Sequence, residues 1–288
     1  MAKENKYSIR DFKRDFPTDE ACLGLIFDTL HSRKCSCGGT YALRKGRRQF
    51  QCSKCRFHIA PTADTIFHKS EPPLTLWFHA IFIFSNAKSG ISAKEMERQL
   101  GVGYKTAWRI LNFIRKSLQQ GTDKLTGDVE MDEAYFGGKK SGGKDNKNMS
   151  KVMKQKGVVM AAISRGGNMK AEVTPDATSY SIDRFLHKNV EKTGTRLLTD
   201  KSNRYDSVAY GYDRHFVNHS KKEFVRGDVH VNHVESFWSH AKRSIKGTHK
   251  VISRKHLQSY LDGFVFHYNN RYNDSARFYA LMSTLLIA

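Results

Sequence analysis

Apolar positions recur along this chain at two different periods, and the switches between them divide it. After Pro17, Thr18 or Asp19 can cap a helix whose inner face is Leu23, Ile26, Phe27 and Leu30. Residues 33–60 lose that spacing and read as short β segments. Residues 72–118 return to helical spacing, opened by Pro72-Pro73 and interrupted at Ser89-Gly90 and Gly101. From Gly127 the pattern turns β-like and predicts strands at 128–136, 157–164, 168–173 and 195–199, with turns at Gly137-Gly138 and Gly166-Gly167. After residue 230 helical spacing resumes, first in HVNHVESFWSHAKR (230–243) and then over 254–271. Between the first two strands, residues 139–156 hold seven lysines and one aspartate. Such a segment cannot build a core and predicts a mobile basic loop. No internal repeat is present.

The patterning predicts four parts: an N-terminal helix with a cysteine-bearing β segment (1–70), a helical region (71–120), a larger domain of strands flanked by helices (125–275), and a tail (276–288). At 288 residues the chain has room for a sizeable core. Its charge changes the picture. Lys and Arg number 49 against 28 Asp and Glu, a net charge of +21, which calls for a polyanionic partner because neutralised phosphates release condensed counterions. The N-terminal residues lack an apolar signal core. The longest apolar run, Leu74–Phe84, is broken by Thr75 and His79 and falls short of the ~20 residues that span a bilayer. The expectation is no membrane segment and a cytoplasmic, nucleoid-associated protein. Five cysteines, four of them clustered, suit metal binding better than disulfides.

Those four are Cys35-x-Cys37 and, after fourteen intervening residues, Cys52-x2-Cys55. Two cysteine knuckles on a hairpin make a filled, tetrahedral, structural site for Zn2+, the metal standing in for a core too small to form alone. The first knuckle is one residue short of the usual spacing, with Lys34 where the cysteine would be, so His31 or His58 are alternative ligands. Cys22, in the first helix, reads as core.

The stretch SGISAKEMERQLGVGYKTAWRILNFIRKSL has helix-turn-helix grammar. Ser92 and Glu95 form a capping box, Met96 and Leu100 face inward, and Gly101 turns the chain. The second helix, Tyr104 to Leu118, buries Ala107, Ile110, Leu111 and Ile114 and presents Lys105, Thr106, Arg109 and Arg115. The N-terminal part of such a helix enters the major groove; Lys105, Thr106 and Arg109 are the expected DNA contacts, to phosphate more than to bases.

Carboxylates carry the remaining chemistry. In GDVEMDEAYFGG, alternation puts Asp128, Glu130 and Asp132 on one strand face and Val129 and Met131 on the other. Asp200 ends a short apolar strand, a usual place for ligand-binding groups, and its competitor Asp206 reads as part of a helical turn. Glu235 lies on a helix among Val231, Val234, Phe237 and Trp238, where a cation in place of water would balance it, with Ser239 and Lys242 on its stripe. Strand Asp, strand-end Asp and helix Glu, in that order, describe an RNase H-like mixed sheet flanked by helices. Its three acids can hold two Mg2+ (or Mn2+) ions ~3.5–4 Å apart.

Cysteine ribbon, helix-turn-helix, then MDEAYFGGKK, LLTDKSNRY and HVNHVESFWSHAKRSIKGTHK together resemble the DDE transposases of bacterial insertion sequences, in particular the group with an N-terminal zinc ribbon. The resemblance spans about residues 15 to 275. It implies Asp132, Asp200 and Glu235 as catalytic metal ligands, selecting Asp132 over its acidic neighbours by the Asp-Glu-x-x-x-Gly pattern, and Lys242 as a contact to the transposon end, with Arg243 beside it. Some members of the group use asparagine as the third residue, and Asn232 is the alternative here. The activity implied is hydrolysis at the ends of an element to free 3′-OH groups and their transfer to target DNA. Implied partners are terminal inverted repeats and target duplex, with a homodimer or larger assembly on DNA. The rival readings are an RNase H-like nuclease or resolvase that does not join, and a non-catalytic DNA-binding regulator.

Overall fold

The computed structural model describes residues 6–137 and 156–287; of the basic loop expected at 139–156, only Lys156 falls among them. The chain divides into two compact units, one of residues up to 119 together with those from 270 onward, the other of residues 120–269.

In the first unit, α1 (Ile9–Asp15) starts from a reciprocal capping box between Ser8 and Asp11. Helix α2 (Asp19–Leu30) is capped by Thr18, whose hydroxyl accepts the Ala21 N–H. Asp19 is thereby freed to accept from Thr75 N–H (2.9 Å) at the start of α3 (Leu74–Asn86). Between these helices, β1 (Tyr41–Leu43), β2 (Phe50–Cys52) and β3 (His58–Ile59) form an antiparallel meander. Phe50 stacks on Phe27 of α2, with ring centroids 4.0 Å apart.

Helices α4 (Ala93–Leu100) and α5 (Tyr104–Ser117) follow, joined through Gly101 in the left-handed region (φ 64°). The expected capping box is half made. Glu95 N–H donates to Ser92 Oγ at 3.1 Å, but the Glu95 carboxylate turns to Arg98 and Gln99. Arg115, expected on the outer face of α5, is buried and donates to the Ile91 carbonyl at 2.8 Å. Residues 276–288 are more than a tail. Arg277–Ile287 form a helix that buries Phe278, Leu281, Met282 and Leu285, spaced i, i+3, i+4 and i+7, with Phe278 against Tyr7, Phe12 and Phe16.

The second unit is built on a five-stranded mixed sheet of β4 (Leu125–Phe136), β5 (Gly157–Ser164), β6 (Met169–Thr174), β7 (Val190–Asp200) and β8 (Asp213–Val217), in the order β6-β5-β4-β7-β8. β4–β5 and β5–β6 are antiparallel; β4–β7 and β7–β8 are parallel. Strand β8 was not expected: only Val217 in DRHFV is buried, so no alternation announces it. β7 also starts earlier than its apolar run. Helix α6 (Ser179–Asn189) and the turn of helix α7 (Asn203–Asp206) cover one sheet face with Val129, Met131, Met160 and Leu197 beneath them. Helices α8 (Asn232–Ser244) and α9 (Leu257–Asn269) cover the other, over Ala134, Phe136, Ala161 and Leu198. The helix expected from 254 begins with a 3-10 turn, Arg254–His256. No helix among the described residues is long and apolar enough to cross a membrane.

Candidate active site and metal centres

Parallel pairing fixes the first two acids. Glu130 of β4 lies opposite Leu198 of β7, the last pair of that ladder, and Asp132 and Asp200 each follow two residues beyond it on adjacent strands, near enough that the Asp200 charge acts on Asp132. α8 crosses the same face of β4, and its Trp238 indole N–H donates to Asp132 Oδ2 at 3.1 Å. Glu235 is on the same helix, close enough that its charge, with those of Glu133 and Asp200, acts on Asp132.

The electrostatics of the group are unbalanced. Desolvation first, then the negative charges of Glu133, Asp200 and Glu235, push the Asp132 carboxyl up to about 7. Glu133 points to the opposite sheet face, accepts from Tyr205 Oη–H at 2.7 Å, and is itself raised, chiefly by desolvation. Asp200 Oδ1 is buried without a hydrogen-bond partner. Among the described residues neither Asp132 nor Asp200 is in an ion pair. Buried anionic oxygens left unpartnered are costly, and a hard divalent cation with oxygen preference is the ligand that would satisfy them; the donor set therefore fits such an ion. Glu235 differs from expectation: its side chain is 46% exposed, with His219 Nδ1 at 3.7 Å, so water already serves it. Val231, Val234, Phe237 and Trp238 face the sheet instead. Asn232, the alternative third residue, is exposed at the first position of the helix.

The other acids in the neighbourhood are occupied. Asp128 is bidentate with Arg196 (2.9 and 2.6 Å), and Asp206 sits in α7 and pairs with Arg214 at 2.7 Å. Glu130 is fully buried and surrounded by donors.

Among the described residues, two clusters of His, Cys, Asp or Glu bring all their ligand atoms within 4.8 Å of one another: the four cysteines, and Glu130 with His230 and His233. The Asp132, Asp200 and Glu235 oxygens are not drawn together that tightly. Cys35 Sγ lies 3.7 Å from Cys55 Sγ, and Cys37 Sγ 3.5 Å from Cys52 Sγ. A tetrahedron with metal–sulfur bonds of about 2.3 Å has edges of about 3.8 Å, so the set fits one tetrahedral ion. The short first knuckle closes without His31 or His58. Gly39 makes this possible, since a Cβ there would lie 2.6 Å from Cys52 Sγ. Hydrogen bonding from Tyr41 first, then from the Cys37 backbone, lowers the Cys35 thiol to about 6, which favours the thiolate a metal binds.

Lys242 and Arg243 are exposed on the last turn of α8. Lys242 lines a cavity of about 680 Å3 with Phe136, Ile252, Lys246, Lys250 and Arg254. On α5, Lys105 and Arg109 are exposed and Thr106 half-buried. Exposed Tyr104, Trp108 and Phe113 accompany them, aromatics the sequence reading passed over. It gives no role to His219 or Tyr205, whose partners come from distant segments, and sets Glu133 aside in favour of Asp132.

Residues 124–269 match the family model described as the ISXO2-like transposase domain. A Halobacterium salinarum protein, "Uncharacterized protein in transposable element ISH50", is 28% identical over 245 residues, 80% of this chain and 82% of its own length. A Haemophilus influenzae "uncharacterized transposase-like protein" is 28% identical over 99 residues, 34% of this chain and 78% of its own. A chain in a simian T-cell lymphotropic virus intasome in complex with PP2A regulatory subunit B56 gamma aligns at 10% identity and a TM-score of 0.27, over 56% of this chain and 57% of that one, too low to bear on fold.

Proposed function

Given that this chain belongs to the ISXO2-like transposase family, we propose that it acts on the DNA ends of an insertion sequence, hydrolysing a phosphodiester at each to free a 3′-OH and directing that hydroxyl at target DNA. In this reading the second unit is an RNase H-like domain, and Asp132, Asp200 and Glu235 are its metal ligands. Divalent Mg2+ or Mn2+ held there would supply activation of the attacking oxygen and stabilisation of the leaving 3′ oxygen. The chain's own part would be placement: β4 and β7 carry the two aspartates on adjacent strands, α8 carries the glutamate, and Trp238 donates to one oxygen of the Asp132 carboxylate. Lys242 and Arg243 continue the α8 stripe toward the DNA backbone. The observation that carries the reading is the buried, unpartnered Asp200 Oδ1, near an Asp132 carboxyl that burial and neighbouring acids push upward.

The first unit would bring the ends to this site. Lys105, Thr106 and Arg109 of α5 contact DNA phosphates, and the four cysteines hold Zn2+ that keeps the small β meander folded. Two ends handled together call for a dimer or larger assembly on DNA.

The test is Mg2+-dependent cleavage of a duplex carrying the element's terminal repeat, by wild type and by Asp132→Asn, Asp200→Asn and Glu235→Gln. Each variant is expected to lose cleavage while still binding the duplex. Near-normal cleavage by any one removes that residue from the site. Pre-cut ends supplied to wild type should yield joined product; cleavage without joining would leave a nuclease.

A further inference from the structure

The cluster of Glu130, His230 and His233 is unused by the reading above, and its contacts say what it does. Helix α8 begins without a cap of its own, because the residue before it, Val231, has no side chain that can accept a hydrogen bond. Orphan N–H groups at a helix start need an acceptor. Glu130, from a different element, supplies it: its Oε2 accepts the His233 N–H at 2.8 Å and the Val234 N–H at 3.3 Å. Its Oε1 accepts from Arg165 Nε–H at 2.9 Å and lies 2.8 and 3.2 Å from Nδ1 of His233 and His230. Arg165 in turn donates to the carbonyls of Asp228 (2.8 Å) and His230 (3.1 Å), binding the segment that leads into α8.

A metal at this cluster would displace the guanidinium and abandon the helix N–H groups, so the arrangement is a brace. Its position matters more than its strength. Glu130 is two residues before Asp132 on the same strand face, and Trp238, which holds Asp132, is four residues after Val234 on the helix. Two residues of strand advance about 6.7 Å and four of helix about 6 Å. Strand and helix are thus pinned at two points of nearly equal spacing, with Glu235 between them.

We propose that Glu130 is a positioning residue: by capping α8 from β4 it sets where Glu235 stands relative to Asp132. This rests on the reading of those acids as a shared metal site. The test uses the full-length protein without added divalent metal. Hydrogen exchange is followed over residues 231–238, and Mg2+ is titrated while the Trp238 indole N–H is observed in 15N-tryptophan-labelled protein, assigned with Trp238→Phe. In Glu130→Ala, exchange over the start of α8 rises and the Mg2+ midpoint shifts upward, each on the order of tenfold, the size expected for a lost cap. The Trp77 and Trp108 signals stay in place. Glu130→Gln keeps one carbonyl oxygen for the helix N–H groups and shows a smaller change in both readouts; it carries the test if the alanine variant does not fold. Unchanged exchange and midpoint in Glu130→Ala overturn the proposal. So does collapse of all three indole signals in both variants, which would make Glu130 a support of the whole unit. A wild-type Trp238 signal indifferent to Mg2+ would instead remove the metal reading, while the exchange comparison still decides Glu130's hold on α8.

Discussion

Replacing Asp132 by asparagine should stabilise the metal-free protein at alkaline pH, although it removes a residue proposed for catalysis. The carboxyl is pushed up to about 7 from an ordinary 3.8. Because its pKa is raised in the folded state, that state holds the proton longer. The group's contribution to stability is complete below about pH 4 and is lost as pH rises through about 7. A difference of about three units at ~1.36 kcal/mol each sets a ceiling of roughly 4 kcal/mol on the penalty at pH 8. For a unit of this size that corresponds to a melting-temperature rise of the order of 10 °C in Asp132→Asn. Asparagine still offers an oxygen to the Trp238 N–H, so little is lost in exchange. Thermal unfolding at pH 4, 6 and 8, without added divalent metal, reads the gap, which should close toward pH 4. Adding Mg2+ at pH 8 should raise the wild-type transition, by about 2.7 kcal/mol at a hundred times the dissociation constant, and leave Asp132→Asn where it was. An asparagine variant equal to or less stable than wild type at pH 8 would refute the claim that this charge is uncompensated.

Other consequences follow from single contacts. Zinc is expected at about one ion per chain in the wild type, and Cys52→Ser should lose it and lower the melting temperature of the first unit. Arg109→Ala should weaken binding to terminal-repeat DNA and reduce the slope of log K against log salt by about one, as for a single phosphate contact. Arg115→Ala, six residues along the same helix, should instead cost about 1–3 kcal/mol of stability in denaturant unfolding, because the Ile91 carbonyl loses its buried donor. Lys242→Ala should reduce binding and cleavage without altering stability, seen in the salt dependence of cleavage.

Sequence periodicity reached far into this molecule where burial is one-sided. Alternation in GDVEMDEAYF put Asp128, Glu130 and Asp132 on one face and Val129 and Met131 on the other, and the sheet has them so. It could not say which acid is free, because the partners that occupy Asp128 and Glu130 are Arg196 and Arg165, distant in the chain. Glu235 looked anomalous among apolar residues only because those residues share a stretch of chain and not a helix face. Strand β8 carries one buried residue and gave no signal, yet it leads to His219, the neighbour of Glu235. Arg115 was misplaced because a long polar side chain at the margin of a helix face can turn inward when a carbonyl waits there. The helix 277–287 carries its apolar spacing openly, in Phe278, Leu281, Met282 and Leu285.

The central claim is that Asp132, Asp200 and Glu235 share divalent ions. Anomalous diffraction from crystals of the protein soaked in Mn2+ tests it most directly. The account predicts manganese density between Asp132 and Asp200, with Glu235 turned from water toward it, and none at Glu130. Manganese held by Glu130, His230 and His233, or no density beside Asp200, would contradict it.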